Sequence, residues 1–571
     1  MSNVAEKIAQ FVSNLEIDVI YIYPGGTIAP LVNAFVALGV RVEVFKHEQG
    51  AVYAAMAKAR ITGKLQVAMV TSGPGVTNAI TPLADAYYDS TPLLLITGQI
   101  GTGDLLAPRK VRQRGFQEVP TISIVSEISK LALCPTTPEE ALSQLPMLVK
   151  RALDGRMGPV VFDLPMDIQR AEITSQKNTF EVSDQDQKFK ANISEYEISS
   201  ISEALANSKR PVLMLGHGAL ISGDFDKYLK FSDAANLTVV SSILGLGSFD
   251  CNNKRFMGYI GHTGHRVANR SVHEADFLLV LGARLDVRQT GTLVNDFVPN
   301  GKIVWVNNDL SEINFPRVRV DWPICGDVSE FIDRLLCKSE SFAVVRDEKW
   351  LESLREQRSL SEEDQFSDVS DQISPKEVLI KLNQLMRGGK GYVVTGVGSH
   401  QQWAARHIDY GPDTWRLLTS AGHGAMGYDI PTALGAAMTS PYKTVICIVG
   451  DGSFLMNIQE LASIAERGLN VKILILNNNR LGIVSQFQKI TWGIDHGAGR
   501  FETPDFVSIS KGFGIPAKRV KVKADLADCM EWFWNSMGPL LLEVIIDHDA
   551  EVTPMLLGGQ SMDKMWLGHG L

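Results

Sequence analysis

Short apolar runs that stop at glycine alternate along this chain with stretches in which apolar residues recur every three or four positions. The first pattern is that of a buried strand and the second that of a helix with one packed face. Val445–Val449 is such a run, closed by Gly450-Asp451-Gly452-Ser453. Ile458, Leu461, Ala462 and Ala465 then repeat at helical spacing, and Gly468 stops the helix. Val471–Leu476 is the next strand and ends in Asn477-Asn478. Two parallel strands joined by a helix place Asp451 and Asn478 side by side, beyond the carboxyl ends of a sheet, where open α/β sheets bind ligands.

The same alternation organises the rest of the chain. Within residues 1–170, Val4, Ile8, Phe11 and Leu15 predict an amphipathic first helix. Val19–Tyr23, Val42–Phe45, Gln66–Thr71, Leu93–Thr97 and Val160–Leu164 predict strands. A second set at 196–345 runs through Val212–Leu215, Phe277–Leu281 and Ile303–Val306. A third unit spans 374–545. The expected class is α/β, with three doubly wound parallel sheets. Residues 171–195 are polar and predict a linker. Residues 338–374 are charged and serine-rich and predict a surface linker with a short helix. The tail at 546–571 lacks periodicity, which leaves an ordered flap and disorder both open.

Composition narrows the function classes. A chain of 571 residues exceeds a single core and predicts about three domains. Its net charge of −9 argues against general nucleic-acid binding. The six cysteines include no CxxC pair, which fits a reducing, cytoplasmic setting better than a zinc site or a disulfide framework. No signal peptide or transmembrane stretch is expected, and so no membrane partner.

The chemistry lies where strands end. One carboxylate and one amide oxygen are hard ligands that suit Mg²⁺ shared with phosphates. The glycines let the backbone approach a diphosphate, and a helix N-terminus favours negative charge. Glu48, after a strand at a helix start, reads by itself as a carboxylate placed on the helix dipole. The glycine turns after Leu215 and Leu281 can cradle phosphates, but a short glycine turn alone is weak evidence for a nucleotide.

GDG at 450–452 followed by Asn-Asn at 477–478 resembles the binding motif of thiamine diphosphate (ThDP) enzymes. YPGG at 23–26, HEQG at 47–50, TSGPG at 71–75, ITGQ at 96–99, FQE at 116–118, GAMG at 424–427, MNIQELA at 456–462 and NNNRLGIVSQ at 477–486 extend the likeness. So do LGLGSF at 244–249, LGAR at 281–284 and CGDV at 325–328. The chain resembles the large catalytic subunit of the acetohydroxyacid (acetolactate) synthase family.

That resemblance implies a pyrimidine-binding domain at 1–170, an FAD-type middle domain at 196–345 and a diphosphate-binding domain at 374–545. It implies ThDP held by Gly398, Ser399, His400, Gly424, Met426, Gly450, Asp451, Gly452, Ser453 and Asn478. Mg²⁺ would sit on Asp451, Asn478 and the carbonyl of Arg480. Glu48 would activate the cofactor through N1′ of its aminopyrimidine, and Phe116 and Gln117 would flank the reacting carbonyl. A non-redox FAD would lie against Gly216, Gly218, Ser242, Ile243, Leu244, Gly261, Gly264, Gly282, Arg284, Arg288, Asn307, Asp327 and Val328. A homodimer or homotetramer is implied, and a regulatory subunit stays open.

The departures from the family cluster at the substrate end. Thr27 replaces alanine, Met166 lysine, His423 leucine, and Phe487 the tryptophan that sorts the second 2-ketoacid. Asp286-Val287-Arg288 replaces an aspartate pair before arginine. The loop 101–115 is longer and carries Arg109, Lys110, Arg112 and Arg114. Several cations suit a diphosphate better than a small ketoacid. The expected reaction is therefore decarboxylation of pyruvate and transfer of the two-carbon unit to a nucleotide-linked 4-ketosugar, as in the related carboligase of yersiniose (branched-chain sugar) biosynthesis. Acetolactate synthesis on pyruvate or 2-ketobutyrate is the alternative, and a pyruvate oxidase is a more distant one.

Overall fold

The computed structural model describes all residues except 1, 108–110, 174–192, 343–345, 360–370, 495–498, 500–501 and 569–571. Arg109 and Lys110 thus lie outside the described residues.

Three six-stranded sheets, each wholly parallel, follow one another along the chain. The first holds β1 (Val19–Tyr23), β2 (Arg41–Val44), β3 (Gln66–Val70), β4 (Leu93–Gln99), β5 (Leu131–Leu133) and β6 (Pro159–Pro165), in the order β2-β1-β3-β4-β6-β5. The second holds β7 (Pro211–Leu215), β8 (Thr238–Ser241), β9 (Phe256–Tyr259), β10 (Phe277–Leu281), β11 (Lys302–Asn307) and β12 (Trp322–Cys325), in the order β12-β11-β10-β7-β8-β9. The third holds β13 (Gly391–Thr395), β14 (Trp415–Thr419), β15 (Thr444–Gly450), β16 (Val471–Asn477), β17 (Ala517–Val520) and β18 (Leu540–Ile545), in the order β14-β13-β15-β16-β18-β17. Central strands such as β3, β7 and β13 are buried along their whole length, because helices cover both faces.

The fold class agrees with the sequence pattern; one segment is more buried than expected, and the tail takes one of its two open readings. The helix Glu348–Ser359, expected in a surface linker, buries Trp350, Leu351 and Leu354 against the middle sheet. The described part of the tail packs on the middle unit, and Met555 bridges Trp566 within it. Its Leu556, Met562 and Met565 join the core of the middle sheet, and the Leu556 N–H donates to the His262 carbonyl at 2.7 Å. Among the described residues no helix is long and apolar enough to cross a membrane.

The first and third units share a core. The alanine-rich helix Glu48–Thr62 packs on Asp429–Thr439 so closely that a Cβ on Gly435 would lie 2.5 Å from the Ala54 carbonyl oxygen. Small residues on both helices permit that approach.

Candidate active site

In the third sheet, β13 and β15 are neighbours and the strand order reverses between them. Loops diverge at such a switch point and leave a crevice at the carboxyl ends. Gly398-Ser399-His400 leave β13 there, and Gly450-Asp451-Gly452-Ser453 leave β15. Asn477-Asn478 end the adjacent β16.

Asp451 is buried. Its Oδ1 accepts the Gly452 N–H at 3.0 Å and its Oδ2 the Arg480 N–H at 3.2 Å. Burial outweighs these bonds and pushes its carboxyl up to about 6. A desolvated carboxylate facing an amide is the setting that a bound cation relieves. Asn478 is also buried, and its carbonyl accepts from His548 Nδ1 at 2.7 Å.

Ser399 opens the helix Ser399–His407, and its buried Oγ has no protein partner. A Cβ on Gly482 would lie 2.6 Å from that oxygen and 3.2 Å from Asn478 Nδ2, so glycine keeps this corner open. Gly398, at φ +151°, and Gly450 make room for the His400 ring, 2.8 Å and 2.9 Å from where their Cβ atoms would stand. The His400 ring faces Asp429 at 3.3 Å. An orphaned hydroxyl, a helix start and a ring of glycines fit a diphosphate, and Asp451, Asn478 and the Arg480 backbone fit its metal.

Two serines shape the loop that carries Met426. Ser420 Oγ accepts the Gly424 and Ala425 N–H groups at 3.1 and 2.9 Å, and Ser453 Oγ accepts the Gly427 N–H at 2.9 Å. Gly424 and Gly427 both have positive φ, which the reversal requires. Met426, between them, is half-buried.

The first sheet supplies a separate group. Glu48 is 5% exposed, and one of its oxygens accepts from Asn78 Nδ2 at 3.0 Å. Asn78 lies one turn into the helix Pro74–Tyr88, which starts beside Gly73. A Cβ on Gly73 would stand 2.8 Å from that of Gln117, itself held at φ +62°. Glu48, Asn78, Gly73 and Gln117 therefore form one neighbourhood. Phe116 is 86% exposed. The sequence reading missed Asn78; its only signal was a polar residue one turn after TSGPG. Thr27 Oγ1 bonds Thr71 Oγ1 at 2.9 Å and accepts the Ser72 N–H at 3.0 Å, so it braces the same turn. Met166 opens the short helix that follows β6.

The middle sheet reverses its order between β7 and β10, the pattern that binds dinucleotides. A cleft of about 630 Å³ opens there. Gly218, Ser242, Ile243, Leu244, Gly282, Arg284, Arg288, Asn307, Asp327 and Val328 line it. Gly216, Gly261 and Gly264 do not. A Cβ on Gly216 would lie 2.5 Å from the Ala283 nitrogen, one on Gly264 2.5 Å from the Tyr259 oxygen, and one on Gly261 3.1 Å from Gln289 Cα. These three glycines serve close backbone packing. Asn307 is turned inward, donating to the Ala283 carbonyl at 3.3 Å. His262 lines the cleft with an unpartnered Nε2, and burial holds its ring neutral, down to about 4. A glycine-walled cleft with an orphaned ring nitrogen fits a flavin dinucleotide. Phe487 stacks on His262 at 5.5 Å, and His423 stacks on Tyr88 at 5.9 Å.

Comparison with known proteins shows the family. The thiamine pyrophosphate enzyme N-terminal binding domain matches residues 2–124, the central domain 198–335 and the C-terminal binding domain 396–544. The acetolactate synthase large subunit of Lactococcus lactis is 33% identical over 98% of this chain and 95% of its own length. The chain belongs to the acetolactate synthase large-subunit family. It is a thiamine-diphosphate-dependent enzyme of that type. The mitochondrial catalytic subunit of Saccharomyces cerevisiae acetolactate synthase is 33% identical over 97% of this chain and 82% of its own length. The probable large subunit of Methanocaldococcus jannaschii is 33% identical over 97% and 93%.

Proposed function

We propose that this enzyme decarboxylates pyruvate and joins the remaining two-carbon unit to the keto carbon of a second 2-ketoacid. The observation that carries this reading is the pairing of two sites in one chain: buried Glu48 with Asn78, and the Asp451–Asn478–Arg480 set beside an orphaned Ser399 hydroxyl. Full-length likeness to acetolactate synthases supports a 2-ketoacid acceptor over the nucleotide ketosugar expected from the departures.

ThDP, when bound, would supply a thiazolium able to stabilise the negative charge left when the pyruvate carboxylate departs. Asp451, the Asn478 side chain and the Arg480 carbonyl would hold Mg²⁺. Ser399 and the helix it opens face the diphosphate. The Gly424 carbonyl and the Met426 side chain would support the cofactor between its two ends. Glu48, in poor solvent contact, exchanges a proton at N1′. Gln117 and Phe116 orient the reacting carbonyl. The middle cleft would hold FAD in a role without electron exchange. The three units are pyrimidine-binding, FAD-binding and diphosphate-binding domains, and a second subunit completes each site.

The ketosugar remains a second reading on a specific observation. Phe487 is 37% exposed where the family has tryptophan, and Arg112 is exposed in the longer loop. Replacing Arg112 and Arg114 by alanine and Phe487 by tryptophan separates the two readings. Under the 2-ketoacid reading the loop variants keep the parent KM for both ketoacids. A raised KM for a nucleotide 4-ketosugar would favour the sugar. The primary test is ThDP- and Mg²⁺-dependent release of CO₂ from pyruvate.

A further inference from the structure

Glu460 begins the helix Glu460–Glu466 of the third unit and is fully buried. Its Oε1 accepts the backbone N–H of Lys46 at 3.0 Å. Its Oε2 accepts from Ser463 Oγ at 2.8 Å. Lys46 and His47 are the two residues before Glu48. A carboxylate from another domain therefore anchors the link between β2 and the helix that Glu48 opens.

The first turn of that helix rests on the same group. A Cβ on Gly50 would stand 2.6 Å from Glu460 Cδ, so only glycine lets the turn sit down on the carboxylate. Asn457, three residues earlier, donates to Gln49 Oε1 at 3.2 Å and to the Gly427 carbonyl at 2.7 Å. His47 Nδ1 accepts the Gln49 N–H at 3.1 Å and closes the turn. Residues 46, 47, 49 and 50 are thus each held, and Glu48 points from the middle of the clamp toward Asn78.

We propose that Glu460 is a positioning residue that fixes the aim of the Glu48 carboxylate across the domain boundary. This rests on the reading that Glu48 activates the cofactor. A buried ion-acceptor that merely staples two domains would change stability alone. One that aims Glu48 changes proton exchange at the cofactor as well, because an error near 1 Å at a reacting group costs on the order of a hundredfold.

The test uses Glu460→Ala in the full-length protein, because glutamine would keep an oxygen able to accept the Lys46 N–H. Amide hydrogen exchange on the cofactor-free protein is expected to show lost protection at Lys46–Gly50. In the loaded protein, exchange of the ThDP C2 proton with deuterated solvent should slow by about tenfold or more, with ThDP affinity unchanged. Ser463→Ala, which touches only the other oxygen, should exchange at the parent rate. If Glu460→Ala does not fold, Gly50→Ala serves instead: it keeps Glu460 but forces the first turn away, and C2 exchange should slow likewise. Parent-rate C2 exchange in the variant that folds would overturn the proposal. Glu48→Gln runs alongside: if it too exchanges at the parent rate, the role of Glu48 has failed rather than that of Glu460.

Discussion

Asn78 Nδ2 donates to a Glu48 oxygen at 3.0 Å, from a helix that begins where the Gln117 side chain packs. A carboxylate that must exchange one proton needs a fixed direction and little water, and this bond supplies the first while burial supplies the second. Hydrogen bonds to charged groups contribute about 1.5–3 kcal/mol. Asn78→Ala should therefore lower CO₂ release from pyruvate by about ten- to a hundredfold, with ThDP binding kept. A variant of parental activity would remove Asn78 from the account.

Glu48 and Asp451 lie in different units, which bears on assembly. If each site pairs Glu48 of one subunit with Asp451 of another, Glu48→Gln and Asp451→Ala are each inactive alone. Mixed and reassociated in equal amounts, they should recover about a quarter of parental activity, because random pairing leaves that share of sites intact in a two-fold dimer. No recovery in a verified hybrid would contradict shared sites.

The middle cleft predicts a purified protein with a flavin spectrum that pyruvate does not bleach. Displacing the flavin with excess riboflavin-free buffer and denaturant, then adding FAD back, should restore the spectrum. Flavin reduced at each turnover would mark an oxidase instead.

Asp85 offers a pH test. It is fully buried in the helix Pro74–Tyr88, and burial together with the charge of Asp89 pushes its carboxyl well up. The folded state then keeps a proton that the unfolded chain loses above about 3.9. Its contribution to stability falls as pH rises from there toward neutrality. Asp85→Asn removes that slope, so its Tm relative to the parent should climb between acid and neutral pH. A constant difference across that range would mean that Asp85 is ionised throughout.

Much of this was legible along the chain. Val19–Tyr23 and Phe277–Leu281 are strands with the bounds that their apolar runs predict, buried except at Tyr23, because a strand covered on both faces needs no polar position. The short helix expected within 338–374 is Glu348–Ser359, but its packing on the core was hidden, since charges surround the few apolar residues that touch it. β8, β14 and β17 were hidden as well; they are short and carry polar or small residues. Glu460 and Lys46 are 414 positions apart, so no local pattern joins them. Asn78 bonds across 30 positions and escapes for the same reason. The motifs marked where chemistry sits, while the bonds that aim it come from tertiary contact.

The most direct measurement is a competition. The parent enzyme and Glu48→Gln, both loaded with ThDP and Mg²⁺, receive pyruvate with equal 2-ketobutyrate and a CDP- or dTDP-linked 4-ketosugar, and products are read by mass. The account predicts acetolactate and acetohydroxybutyrate from the parent and neither from Glu48→Gln, although that variant still binds ThDP. A two-carbon adduct on the nucleotide sugar alone, or ketoacid products from Glu48→Gln at the parent rate, would contradict it.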